Sequence, residues 1–146
     1  MGDPDRLYID KDDRTIYKKL KEIGIFKDLQ DKDQFMFAMG YGIRYKQKIP
    51  LKSRENFFLV DRFKDEDIVL LNSLAIYENR NANEPIEILK DKAEIYKIAE
   101  EYAHGGILLI EGSSNTQIES FWKFLEKELD EIYIKKIINK ESKSNE

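Results

Sequence analysis

The sequence predicts a mainly α-helical protein: a single compact domain of about five helices over residues 1–139, with at most a small two-stranded β element. Three observations predict it. Apolar residues recur at helical spacing in several windows, most cleanly at Ile95, Ile98, Ala99 and Tyr102. Acidic or amide residues that suit helix starts stand at the head of these windows. Apolar runs of strand length are few and short, at residues 6–9, 56–60, 86–89 and 107–111.

Taken in order, "RLYI" (6–9) reads as a short strand or a cover for the core. The first helix starts near Asp12 or Asp13 and keeps Ile16, Leu20 and Ile23 in register. Gly24 suits a left-handed stop, with Ile25 placed for the hydrophobic contact that follows it. "DKDQFMFAMGYGIRYK" (31–46) is a second helix, with Asp31 and Gln34 fitting a capping box. Residues 35–39 are apolar on every face, which marks a central helix. Gly40 and Gly42 each cost roughly 1 kcal/mol in a helix, so they point to close packing, a bend or an early end.

"NFFLV" (56–60) is a strand or a covering loop, and "IEIL" (86–89) is its candidate hairpin partner. Between them, residues 65–79 form a third helix with Ile68, Leu71, Leu74 and Ala75 facing inward and three acids in its first turn. "NRNANEP" (79–85) is turn chemistry. A fourth helix begins with a capping box of Asp91 and Glu94, and Gly105-Gly106 interrupts it. Residues 107–111 are then either a buried strand or one more helical turn. Thr116 and Glu119 open a last helix that carries Ile118, Phe121, Trp122, Leu125, Leu129, Ile132 and Tyr133 on one face and runs to about Asn139. Residues 140–146 read as a disordered tail.

At 146 residues the chain can bury a core without staples. It has no cysteine, which excludes disulfides and thiolate metal sites. The N-terminus carries no apolar signal region and no run approaches a membrane span, so a soluble, cytoplasmic protein is expected. Its richness in Lys, Glu and Ile suits a thermophile and an AT-rich genome alike. A net charge of −4 argues against sequence-independent nucleic-acid binding over the whole surface, though not against a local basic site.

Catalytic constellations are sparse. Glu101-x-x-His104 has the spacing of a di-iron half-site, but His104 is the only histidine and such sites need two pairs. A histidine in a last helical turn, favoured by the negative helix end, is the simpler account. A triad using His104 with Ser113 or Ser114 lacks the nucleophile elbow. The acidic runs at 10–13, 31–33 and 65–67 offer ligands for a nuclease metal, and also sit where helix starts want acids. Asp61 followed by Glu87 and Lys90 does not keep restriction-nuclease spacing. No phosphate-cradling glycine loop is present, and no cofactor is called for.

The one local departure from acidity is "GYGIRYKQKIPLKSR" (40–54), with Arg44, Lys46, Lys48, Lys52 and Arg54 and no anion. In an extended segment Arg44, Lys46 and Lys48 would line one side and track a phosphate backbone, with tyrosines for stacking. A solvated loop whose cations pair with this chain's own acids is the competing reading.

"RLYIDKDD", "DKDQFMFAMGYGIRYKQKIPL", "EDIVLLNSLAIYEN" and "IAEEYAHGGILLIE" together span about residues 6–111. In these stretches the chain resembles the dnd system-associated protein 4 family, encoded beside DNA phosphorothioation and restriction genes. The resemblance implies a context, prokaryotic DNA modification or defence, and an accessory role. It carries over no active-site residue.

The reading is therefore a non-enzymatic accessory that binds a protein partner of a DNA modification or restriction system, or DNA through Arg44, Lys46, Lys48, Lys52 and Arg54. One alternative is a metal-dependent enzyme that gathers two or more of Asp61, Glu66, Asp67 and Glu87. Another is a structural module that oligomerises through Phe121, Trp122, Leu125 and Leu129.

Overall fold

A computed structural model of the chain describes residues 4–113 and, beyond them, Ser120, Lys123, Phe124 and Lys127. The protein is mainly helical with a small two-stranded antiparallel sheet, as the sequence predicts. The chain divides into two compact units, residues 1–112 and 113–146. In the second unit, Ser120, Lys123, Phe124 and Lys127 are helical. The predicted cap at Thr116, the face from Ile118 to Tyr133 and the tail at 140–146 lie outside the described residues.

The first unit runs β1 (Arg6–Asp10), α1 (Asp13–Glu22), α2 (Asp31–Arg44), β2 (Arg54–Leu59), α3 (Asp65–Glu78) and α4 (Lys92–Gly112). β1 pairs with β2, from Arg6 opposite Leu59 to Asp10 opposite Arg54, with an irregularity between Leu7 and Tyr8. This corrects the expected hairpin of 56–60 with 86–89. Residues Pro85–Lys90 form a 3-10 turn against α3 instead. Pro85 has no N–H to give a ladder and suits the first turn of a helix.

α1 buries Ile16, Tyr17 and Leu20. Ile23 is solvent-exposed rather than inward, and Phe26 fills the core in place of Ile25, its N–H bonded to the Leu20 carbonyl at 3.1 Å. Gly24 has φ +96°, the left-handed stop that its position predicts. α2 buries Phe35, Phe37, Ala38, Met39 and Tyr41 and is the central helix expected. Its start is not a capping box: Gln34 donates its side-chain amide to the Leu29 carbonyl at 2.7 Å.

α3 buries Leu71, Leu74 and Ala75, but Ile68 is exposed. Its N-terminus is capped by Asp67, which accepts the Lys64 N–H at 2.8 Å. At the head of α4, Asp91 accepts the Glu94 N–H at 3.1 Å, the half of the capping box in which the N-cap carboxylate acts.

Gly105-Gly106 does not interrupt α4, and residues 107–111 are helix, not strand. The glycines exist for contact. A Cβ on Gly106 would overlap the Ala38 carbonyl, and one on Gly42 the Tyr102 carbonyl, so the backbones of α2 and α4 touch at both points. Packing gained this way offsets a propensity cost of roughly 1 kcal/mol per glycine. Gly40 is different: nothing lies within 4 Å of its notional Cβ.

Gly106→Ala is expected to destabilise the protein by at least about 2 kcal/mol through backbone overlap. Gly40→Ala is expected to stabilise it by roughly 0.5–1 kcal/mol through helix propensity alone. Urea denaturation midpoints of the two variants check this opposite sign.

Candidate functional site

The basic segment is neither wholly extended nor free. α2 ends at Arg44, and Lys46 takes a left-handed φ of 56°. The Gln47 N–H returns to the Gly42 carbonyl at 2.8 Å and the Lys46 N–H to the Ile43 carbonyl at 3.2 Å. This is a Schellman stop built with a lysine where glycine is usual. Arg44, Lys46 and Lys48 therefore do not share one side of an extended strand.

The loop is then fastened to α4. Ile49 N–H bonds the Glu101 carbonyl at 3.0 Å, and a Cβ on Gly105 would overlap the Gln47 carbonyl.

All five cations are exposed, and they divide by what they touch. Lys48 pairs with Glu78 at 3.1 Å, and Tyr102 donates its hydroxyl to the other oxygen of that carboxylate. Burial works to raise the pKa of Glu78, but the Tyr102 and Lys48 hydrogen bonds hold it low. Arg54 pairs with Glu100 at 3.0 Å and stacks over Tyr8, 4.2 Å from the ring centre. Arg44 lies over the Tyr45 ring at 5.8 Å. Lys52 gives its backbone N–H to Asp10 at 2.8 Å and lines a cleft.

Glu100 is a strongly perturbed carboxyl. Burial pushes it up to about 7, against the Tyr8 N–H at 2.8 Å and the Arg54 guanidinium, which both favour the anion. Burial prevails because Arg54 itself is more than half exposed, at 57%, so its field is screened.

A second cluster joins β1, α1 and α4. Asp10 accepts backbone N–H bonds from Asp12 at 3.1 Å, Lys52 at 2.8 Å and Ser53 at 3.4 Å. Burial works against its charge, but these donors hold its pKa below the usual carboxylate range. Next to it Asp13 is 1% exposed and accepts a bond from His104 Nδ1 at 2.6 Å, linking residues 91 apart in sequence.

The Asp13 bond raises the pKa of His104 over the opposing effect of burial, while burial raises that of Asp13. His104 thus lies within α4 and owes its place to a carboxylate on α1, not to a last helical turn. Both residues line a cleft of about 500 Å³ with Asp12, Lys52 and Glu111. Sequence reasoning weighed His104 and the run 10–13 separately. Nothing in the pattern of either says that they meet.

The acids considered for a nuclease go elsewhere. Asp67 pairs with the buried Lys32 at 2.9 Å, Glu87 with Lys90 at 2.7 Å, and Asp61 lies 3.9 Å from Arg62. Among the described residues no three His, Asp or Glu side chains converge as metal ligands. Nor is any described helix long and apolar enough to cross a membrane.

A small helical domain with a charged loop strapped to a buried helix is the class of protein these features define. The chain belongs to the family of DNA sulphur modification system-associated protein 4, whose sequence profile matches residues 6–142. That family name links it to a DNA sulphur modification system. No curated protein and no solved structure matches the chain.

Glu100 sets a pH dependence. Its folded pKa of about 7 exceeds the ordinary 4.5, so the folded state holds the proton more tightly. Stability therefore falls as pH rises from about 4.5 to about 7 and is level above that, by up to roughly 3 kcal/mol from this group. Glu100→Gln is expected to flatten that slope. Urea denaturation of both proteins at pH 5 and pH 8 measures it, and an unchanged slope in the variant would show that another group carries it.

Proposed function

We propose that the protein is a non-enzymatic accessory of a prokaryotic DNA sulphur modification and restriction system, acting by binding one of that system's proteins. The outer face of α3 is the observation that carries this reading. Val69 is 63% exposed, Leu70 50% and Tyr77 55%, and the adjoining turn adds Ile86 at 63%. Helices apolar all round are normally covered on every side. Exposed apolar side chains on a helix whose first turn carries Asp65 and Glu66 suit a protein surface better than a phosphate backbone.

DNA binding through Arg44, Lys46, Lys48, Lys52 and Arg54 is the second reading. It draws support from the exposure of all five and loses some from the ion pairs of Lys48 and Arg54. Lys46 and Lys52 are the cations left to carry it.

The two readings separate in one experiment. Tagged protein from its native cells is expected to retain an identified component of the modification system. Leu70→Asp with Tyr77→Asp is expected to weaken retention at least tenfold, whereas Lys46→Glu with Lys52→Glu leaves it unchanged. Purified protein titrated with duplex and single-stranded DNA at several salt concentrations tests the alternative. Salt-dependent binding abolished by the lysine pair would establish the DNA reading in its place. Retention of no system component, together with no DNA binding, would overturn both.

A further inference from the structure

Apart from Lys52, which the DNA reading uses, the cleft beside Asp13 and His104 plays no part in either reading. Its charged lining is four carboxylates, Asp10, Asp12, Asp13 and Glu111, against Lys52 and His104. Ile16, Ile49 and Leu108 give it an apolar wall. We propose that this cleft binds an organic cation on an alkyl stem, an ammonium or guanidinium group whose methylenes lie along the apolar wall.

The sign of the charge is the first argument. Asp10 is held ionised by three backbone donors, and the acids outnumber the cations even with His104 protonated. Asp12 and Glu111 are exposed, and their carboxylates have no hydrogen-bond or ion-pair partner among the described residues. They stand ready to meet a cation at modest desolvation cost.

Unmet polar groups supply the second, independent argument. Asp13 Oδ1 and the Tyr17 hydroxyl, four residues apart on α1, are both buried without a hydrogen-bond partner, although buried polar atoms are ordinarily satisfied. His104 is 9% exposed and uses Nδ1 for Asp13, while Nε2 has no partner among the described residues. With Nδ1–H held by Asp13, the neutral imidazole presents a lone pair at Nε2, an acceptor for an incoming N–H.

Shape and chemistry narrow the ligand. Among the described residues no three acidic or histidine side chains converge as metal ligands, so a bare divalent ion lacks its coordination shell there. An alkyl stem with a terminal cation uses both the apolar wall and the acids, as lysine and arginine side chains do at surfaces. The source is either a side chain of a bound protein or a free polyamine, which share this chemistry.

Because the chain has one histidine, the ring resonances of His104 report on the cleft without ambiguity. The full chain is titrated with arginine amide, with spermidine and with inorganic phosphate, and the His104 ring protons are followed by NMR across pH. A saturable shift with at least one cation is expected, with the His104 pKa falling on saturation because the ligand favours the neutral ring.

In Asp12→Asn with Glu111→Gln, the same titration is expected to weaken at least tenfold. Both positions are exposed, and asparagine serves as well as aspartate at the start of α1. Saturation by arginine amide alone names a protein side chain as the source, and by spermidine alone a free polyamine. No saturable shift below ~10 mM with either cation, a response unchanged in the double variant, or saturation by phosphate would each overturn the proposal.

Discussion

The contact on which the rest depends is the direct approach of α2 to α4 at Gly42 and Gly106. Each glycine faces a backbone carbonyl, of Tyr102 and of Ala38, so the helices meet with no side chain between them. Such a contact fixes rotation and translation together, because a shift of one residue would drive a Cβ into backbone. Ile95, Ile98, Ala99, Ala103, Ile107 and Ile110 are then committed to the core, and the polar residues of α4 to its flank. Glu100, Glu101 and His104 end where they do because the glycines leave α4 one way to lie.

The loop after α2 follows from the same constraint. It leaves the helix through a left-handed lysine and presses on Gly105, so its cations pass along acids of α3 and α4. Lys48 and Arg54 find Glu78 and Glu100, and the backbone at 52–53 is tied to Asp10. The most basic stretch of an acidic chain is thus partly complemented from within. Its charge helps place the loop before it is available to any ligand. Among the described residues the side chains of Lys46 and Lys52 have no ion-pair partner.

Much of this was legible, and the failures have physical causes. The helical class, the small sheet, the central place of residues 35–39 and the stop at Gly24 all follow from local pattern and backbone preference. Strand pairing did not, because two short apolar runs carry no label for their partner, and β1 lies almost fifty residues from β2. Gly105-Gly106 read as a break because propensity was weighed without the packing that repays it. Ile23 and Ile68 keep helical spacing yet sit at the edge of their stripes, where a small domain runs out of core to cover them. The Asp13–His104 pair was beyond reach for another reason: its two halves come from different helices, and each alone has an ordinary explanation. Only the tertiary contact between them makes either one unusual.

α3 poses the opposite problem, since its sequence is easier to read than its purpose. One face, Leu71, Leu74 and Ala75, packs on the domain. The other leaves half or more of Val69, Leu70 and Tyr77 in water, where that exposed surface adds nothing to folding and raises the tendency to associate. Burying the part of each side chain still exposed returns roughly half of the ~1.5–3 kcal/mol that full burial gives. Three or four together approach the cost of bringing two proteins into a fixed orientation. An apolar face of this size on a charged domain is therefore better explained by what it gains on association than by anything it does alone. The acids at the start of α3 then bear on which partner is accepted more than on how tightly it is held.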